Sequence, residues 1–179
     1  MNHIESGFIA RILVGVSTFL VLSAAAATRP AFAVELRIPS KKAVAGQLVN
    51  VPVEIDRIDN LAGLKIVVKY DDDAMTYRST KKAPQANTLI HIVNDKRPGM
   101  LVVVMAGARG IKGEKLQILT FIFDVGADVP AGSLLPVDIV ESQLMSDQLE
   151  NIEHDTVGAR IEVVGAKAHE KIEDRQAVE

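Results

Sequence analysis

The 179-residue sequence has no cysteine and no tryptophan. Without cysteine it can form no disulfide, no thiolate metal ligand and no thiol nucleophile, so the apolar core alone must hold the fold. Without tryptophan, and with aromatic residues at only 4%, it has few of the flat rings that stack on sugar faces. The formal net charge of -3 comes without any basic cluster of the kind nucleic acid requires. Beyond residue 33 no long apolar run suggests a membrane span. No Gly-x-Ser-x-Gly elbow is present. "GARGIKGEK" (Gly107–Lys115) is rich in glycine but lacks the phosphate-loop pattern, and it reads as a flexible hairpin connection.

What is present begins with a leader. "ILVGVSTFLVLSAAAA" (Ile12–Ala27) is an apolar run of 16 residues, short of the roughly 20 that span a bilayer. "TRPAFA" then supplies a small-x-small site at Ala31 and Ala33. This pattern predicts a secretory signal over residues 1–33, cleaved after Ala33, and therefore a secreted product, periplasmic or extracellular. The remainder carries 18 Lys+Arg (20 less Arg11 and Arg29) against 22 Asp+Glu (23 less Glu5), a mildly acidic balance. Residues 165–179, "GAKAHEKIEDRQAVE", are charged and lack strand periodicity, so they read as a flexible tail.

Between these ends period-two alternation dominates, bounded by Gly, Pro, Asn and Asp. The pattern predicts nine strands: 34–38, 48–55, 64–70, 75–80, 88–94, 100–106, 115–125, 134–145 and 157–164. So many short strands with almost no helix pattern predict a two-sheet antiparallel sandwich. Pro52 cannot donate to a ladder and marks an edge or a bulge. In "LKIVVKY" the set Leu64, Ile66, Val68 and Tyr70 should face inward, leaving Lys65, Val67 and Lys69 outward. Several strands are apolar on both faces. Ile118 and Ile122, for example, lie opposite Leu119, Phe121 and Phe123, which predicts an apolar surface rimmed by charge.

"YDDDAM" (Tyr70–Met75) raises the question of a metal. A calcium loop of the EF-hand type starting at Asp71 would need a ligand where Met75 stands and a glycine where Thr76 stands. The three aspartates therefore read as a turn that ends a strand. His91 falls in a strand, His154 in the polar loop "NIEHD" and His169 in the tail, and Glu153, His154 and Asp155 are too close in sequence to chelate one ion. No catalytic residue, metal or cofactor is expected.

The order of these features resembles the cohesin domain family. "VPVEIDRIDNLAGLKIVVKYDDDAM" is similar to its second and third strands, the latter ending in Tyr-Asp. "GEKLQILTFIFDVGADVPAGSLLPVDI" resembles its Gly-x-x-Leu strand and the Ala-Gly turn that follows, and "VGARIEVV" its closing strand. The resemblance spans residues 34–164. It implies a nine-stranded jelly-roll sandwich that binds a dockerin-bearing or other secreted protein without catalysis, as in extracellular polysaccharide-degrading assemblies. It also places contacts on the Tyr-Asp strand and on the strand 100–106. Two polar positions of that interface, Asn and Asp in the family, fall on Gly63 and Lys65, and an acidic position falls on Gly107. The expected partner-binding residues are thus Gly63, Lys65, Val67, Lys69 and Gly107. A carbohydrate-binding module of similar fold is the alternative, followed by a structural or adhesion module. The shortage of aromatics argues against direct glycan binding.

Overall fold

The computed structural model describes residues 34–165, so the expected signal and all of the tail but Gly165 lie outside the described residues. Nine strands run in chain order: β1 (Val34–Arg37), β2 (Lys41–Val44), β3 (Leu48–Tyr70), β4 (Met75–Lys82), β5 (Ile90–Arg97), β6 (Met100–Val125), β7 (Leu134–Met145), β8 (His154–Val157) and β9 (Ala159–Val164). A single 3-10 turn, Pro84–Ala86, follows β4. The architecture is the expected jelly-roll sandwich, but its strands are divided differently.

The two long strands are the reason. β3 has 23 residues and β6 has 26, and they run antiparallel along nearly their whole lengths. Their first and second halves serve different layers. Residues 61–70 of β3 pair with 100–111 of β6 on one side and with β7 on the other. β5 extends this layer along the outer edge of β6. Residues 48–58 of β3 pair with 113–124 of β6, and Glu54 and Ile55 pair with β1. β4 borders β6 in this second layer, and β8 borders β1. β7 continues through β9 to β2. Two of these pairings, β1 with β8 and β2 with β9, are parallel; the rest are antiparallel.

"GARGIKGEK" corrects an expectation. It is no hairpin connection but the middle of β6, where the strand passes from one layer to the other. The ladder shifts register between Ile58 and Leu61 and again between Leu61 and Gly63, as it must where two paired strands bend together. Glycine is required there. A Cβ on Gly110 would lie 1.6 Å from Asn60 Oδ1 and 2.9 Å from the Asn60 carbonyl carbon. The expected break at Pro52 takes the form of a bulge one residue later, with Ile118 as the extra residue between Gln117 and Leu119.

Inward alternation fills the core: Val49, Val51, Val53 and Ile55 from one half of β3, and Leu64, Ile66 and Val68 from the other. Leu101, Val103, Met105, Leu119, Phe121 and Phe123 come from β6, and Val137, Leu144, Ile161 and Val163 close the cluster. Tyr70, Tyr77 and Phe121 gather around Phe123 with ring centroids 4.9–6.1 Å apart. Three further expectations change. Ile118 is fully buried and Ile122 nearly so, so that strand offers no apolar outer face. β2 and the separation of β8 from β9 were not anticipated. Residues 88–89 precede β5, and Leu89 is buried in the core rather than paired.

Candidate interaction surface

The outer face of the layer β7–β3–β6–β5 is built by alternation. With Leu64, Ile66 and Val68 turned inward, Gly63, Lys65, Val67 and Lys69 fall on the other side. Cross-strand register then assembles the face: Lys65 lies between Val104 and Gln143, Val67 between Val102 and Glu141, and Lys69 between Met100 and Asp138. Ala106 lies between Gly63 and Ile90, and Val104 beside Ile92. Ile90 and Ile92 are about two-thirds exposed, at 68% and 67%. Val104 is exposed, as is Val140, the extra residue of a bulge in β7 opposite the Val67–Val68 step.

Val67 departs from expectation. It lies outside the core cluster, yet only 7% of it is exposed. Its flanks explain this, because long side chains surround it. Lys65 Nζ donates to Glu141 Oε1 at 2.5 Å directly beside it. Lys65 and Lys69 therefore do present themselves outward, but Val67 is covered by its neighbours.

At one end of the face a cleft of about 590 Å³ opens. Its lining is mostly apolar and small: Ala62, Gly63, Ala106, Gly107 and Ala108, with Met145 and Leu149 at the rim. Three of the five expected contact residues, Gly63, Lys65 and Gly107, line it; Val67 and Lys69 do not. Gly63 leaves space open on the outer side, whereas Gly107 lies against the core. A Cβ on Gly63 would press on Met145 Cβ at 3.2 Å, and one on Gly107 would meet the buried Leu89 Cδ2 at 2.6 Å. An acidic side chain therefore has no room at 107 unless Leu89 moves.

The rim is a hydrogen-bonded hairpin. Ser146 N donates to Glu150 O and Leu149 N to Ser146 O, while the Ser146 hydroxyl accepts from the amides of Gln148 and Glu150. Asn60, at the bend of β3, donates to Asp147 Oδ1 at 2.8 Å and Gln148 Oε1 at 2.9 Å, tying the hairpin to the crossover. Sequence reasoning missed Leu149, Met145, Ala106, Ile90 and Ile92. Alternation in "TLIHIVN" would have sent the isoleucines inward past His91; it is their pairing with Ala106 and Val104 that turns them out.

The other candidates resolve into structure. Asp71 closes its own turn: its carbonyl accepts from Met75 N at 2.9 Å and its carboxylate from Ala74 N at 3.2 Å. Asp71 and Asp73 border one shallow pocket and Asp72 another, so the three do not converge. Among the described residues no group of three or more acidic or imidazole side chains could hold a metal ion. His154 lies in β8 rather than in a loop. Its Nδ1 donates to Ile152 O at 2.8 Å, which leaves Nε2 to accept from the Ser142 hydroxyl at 2.7 Å and join β8 to β7. Burial raises the pKa of Tyr77 above its ordinary value, partly offset by its bond to Thr80 and reinforced by the charge of Asp95. Among the described residues no helix is long and apolar enough to cross a membrane.

The family model of the cohesin domain matches residues 34–163. No curated protein matches the chain. Among solved structures, the sixth cohesin of scaffoldin B from Acetivibrio cellulolyticus, in complex with a Cel5 dockerin, superposes with a TM-score of 0.67 at 17% identity, covering 74% of this chain and 99% of that one. A non-cellulosomal cohesin from the archaeon Archaeoglobus fulgidus gives 0.69 at 14% identity, with 78% and 98% covered. A cohesin of the Coh-OlpA-Doc918 complex from Clostridium thermocellum gives 0.67 at 16% identity, with 74% and 100% covered.

Proposed function

Because the chain belongs to the cohesin domain family, we propose that it is a non-catalytic docking module whose β7–β3–β6–β5 face binds a secreted partner protein carrying a dockerin-type module. One observation carries the reading: this face has an exposed apolar strip, Ile90, Ile92 and Val104, running into an apolar cleft. Strips of this kind mark protein interfaces, because exposed apolar area gains most from exclusion of water. The face is reached by Gly63, Lys65, Lys69 and Gly107, with Val67 contributing through the backing it gives its neighbours.

Residues 1–33 serve as the signal that delivers the module outside the cell, 34–164 are the docking module and 165–179 a tail. The apolar run and the Ala31/Ala33 site support export. An extracellular polysaccharide-degrading assembly is the setting this reading favours, with the cohesin of the Cel5 dockerin complex as a parallel in fold. Direct glycan binding finds less support, since the four aromatic residues of the described chain form one cluster, Tyr70, Tyr77 and Phe121 around Phe123, rather than a platform. A purely structural or adhesion module would leave the apolar strip without a purpose.

The test uses the secreted form of the chain as bait against the culture supernatant of its source organism, followed by titration calorimetry with each purified candidate. A saturable complex with a secreted, dockerin-bearing protein supports the reading. Retention on cellulose, xylan or chitin with no protein partner would replace it by the carbohydrate-binding one.

A further inference from the structure

Leu149 breaks a local rule. The hairpin 145–151 is a four-residue turn, Ser146–Leu149, closed by a hydrogen bond from Leu149 N to Ser146 O and followed by pairing of Met145 with Asn151. In hairpins built on such a turn the residue that leaves it adopts the left-handed conformation, and glycine is favoured there. Here a leucine takes it, with φ +64°. A bulky side chain in that region is strained. No packing offsets the strain, because Leu149 is 78% exposed, the most exposed of the large apolar residues described. A glycine would suit both the backbone and the solvent better. The leucine stands at the rim of the cleft.

The charges around the cleft point to what enters it. Lys65, at one end, is already paired with Glu141. At the hairpin end Asp147 is held by the neutral amide of Asn60, and neither Asp147 nor Glu150 is paired with a basic side chain among the described residues. Apart from Lys65 and Asp147, the cleft is lined by uncharged residues, most of them alanine, glycine, leucine, valine and methionine. An ionic group inserted among these apolar residues would lose its water, whereas an apolar one gains from the same exclusion.

We infer that the cleft receives one bulky apolar side chain of the partner, covered by Leu149, with a lysine or arginine beside it on the partner facing Asp147 and Glu150. This rests on the docking reading and gives the partner's contact residue a chemistry. Leu149, Gly63 and Ala106 act together: the two small residues leave the hollow and the leucine supplies an apolar flap over it. Buried apolar anchors in such hollows carry a large share of the binding energy of protein interfaces. The neighbouring acidic charges would raise the association rate of a basic partner.

The probe is an amphipathic helical peptide of leucine and lysine, with a leucine–glutamate peptide of the same apolar face as its control, followed by amide chemical shifts of the intact domain. The leucine–lysine peptide is expected to shift residues 63–65, 104–108 and 143–149, and the leucine–glutamate peptide to leave them in place. Ala106→Trp, which fills the cleft from an exposed position, should abolish those shifts. Leu149→Gly should weaken binding about tenfold while leaving thermal stability equal or higher, a combination that a merely structural role for Leu149 would not give. Absence of shifts at the cleft, equal binding of both peptides, or shifts that persist in Ala106→Trp overturns the inference. The protein partner separates this from the docking reading. If its binding is lost in Ile92→Asp but untouched by Ala106→Trp and Leu149→Gly, the face still docks a partner and the cleft assignment falls.

Discussion

The two layers of the sandwich are made from the same two strands, yet their outer faces differ in kind. On the layer of β7, β3, β6 and β5 the outward positions include Ile90, Ile92, Val104 and Val140, all well exposed. On the layer of β4, β6, β3 and β1 the outward positions include Asn50, Glu54, Thr120 and Asp124, with Arg37 paired to Glu54 and Arg78 to Asp124. Of the apolar members of that second face, Pro52 and Ile122 are buried, while Leu48, at the start of β3, and Val157, at the end of β8, are exposed. Since one pair of strands supplies both layers, strand propensity cannot explain the contrast. The sequence changes its outward residues at the crossover, near Asn60 and Gly110: the first layer sets exposed apolar residues side by side, Ile92 across from Val104, whereas Leu48 and Val157 of the second lie opposite Asp124 and Arg37. Exposed ion pairs of the kind on the second face contribute little to stability, about 0–1 kcal/mol each. Their effect is to keep that face in water.

Substitutions can break this contrast or sharpen it. The largest effect is expected at Ile66, which is fully buried beneath the first face. Ile66→Asp should destabilise by about 4 kcal/mol or more, because a carboxylate would be buried without a partner. The same change at Val67, covered only by outer-face side chains such as Lys65 and Glu141, should cost less, since these can move aside and let the new carboxylate reach solvent, and denaturant titration would order the two. Gly110→Ala tests the crossover itself. With Asn60 in the way of any Cβ, it should cost about 1–3 kcal/mol through overpacking and loosen both layers together, as read by hydrogen exchange on β3 and β6. Ile92→Asp should leave the melting temperature within a degree or two yet weaken partner binding by about 1–3 kcal/mol. Thr120→Asp, at an outward position of the second layer, should change neither binding nor fold by a measurable amount.

The smallest effect concerns pH. Tyr77 reaches from β4 towards Phe123, and burial raises its pKa above 10.0. The folded state thus favours the neutral phenol. That contribution is complete below the unfolded value and is lost as pH rises through the folded one. Stability should fall more steeply above pH 10 in the wild type than in Tyr77→Phe, as measured by melts between about pH 9 and 11.

Much of this was legible in the sequence, for identifiable reasons. The inward register of β3 follows from Leu64, Ile66 and Val68, where alternation is strict. β7 was legible to its ends because Gly132 and the turn after Met145 bound it. "GARGIKGEK" was misread because glycines mark turns and tight crossings alike, and only the partner strand, with Asn60 against Gly110, tells them apart. The cover over Val67 depends on Lys65 meeting Glu141, residues 76 apart, and no local pattern reveals that. Gly63, Lys65 and Gly107 came from family resemblance, and the structure brings all three to one cleft. Leu149 was the hardest to see. Its significance lies in a backbone angle, and the sequence "SDQLE" gives no hint that leucine holds the place of a glycine.

The central claim is that one layer's outer face, and not the other's, docks the partner. Hydrogen exchange of the intact chain, free and bound to the partner recovered with it, tests this most directly. The account predicts added protection in β5, in residues 100–108 of β6, in 63–69 of β3 and in the hairpin 145–151, with 115–125 of β6 and β4 unchanged. Protection concentrated on β4, β1 and the second half of β6 would contradict it.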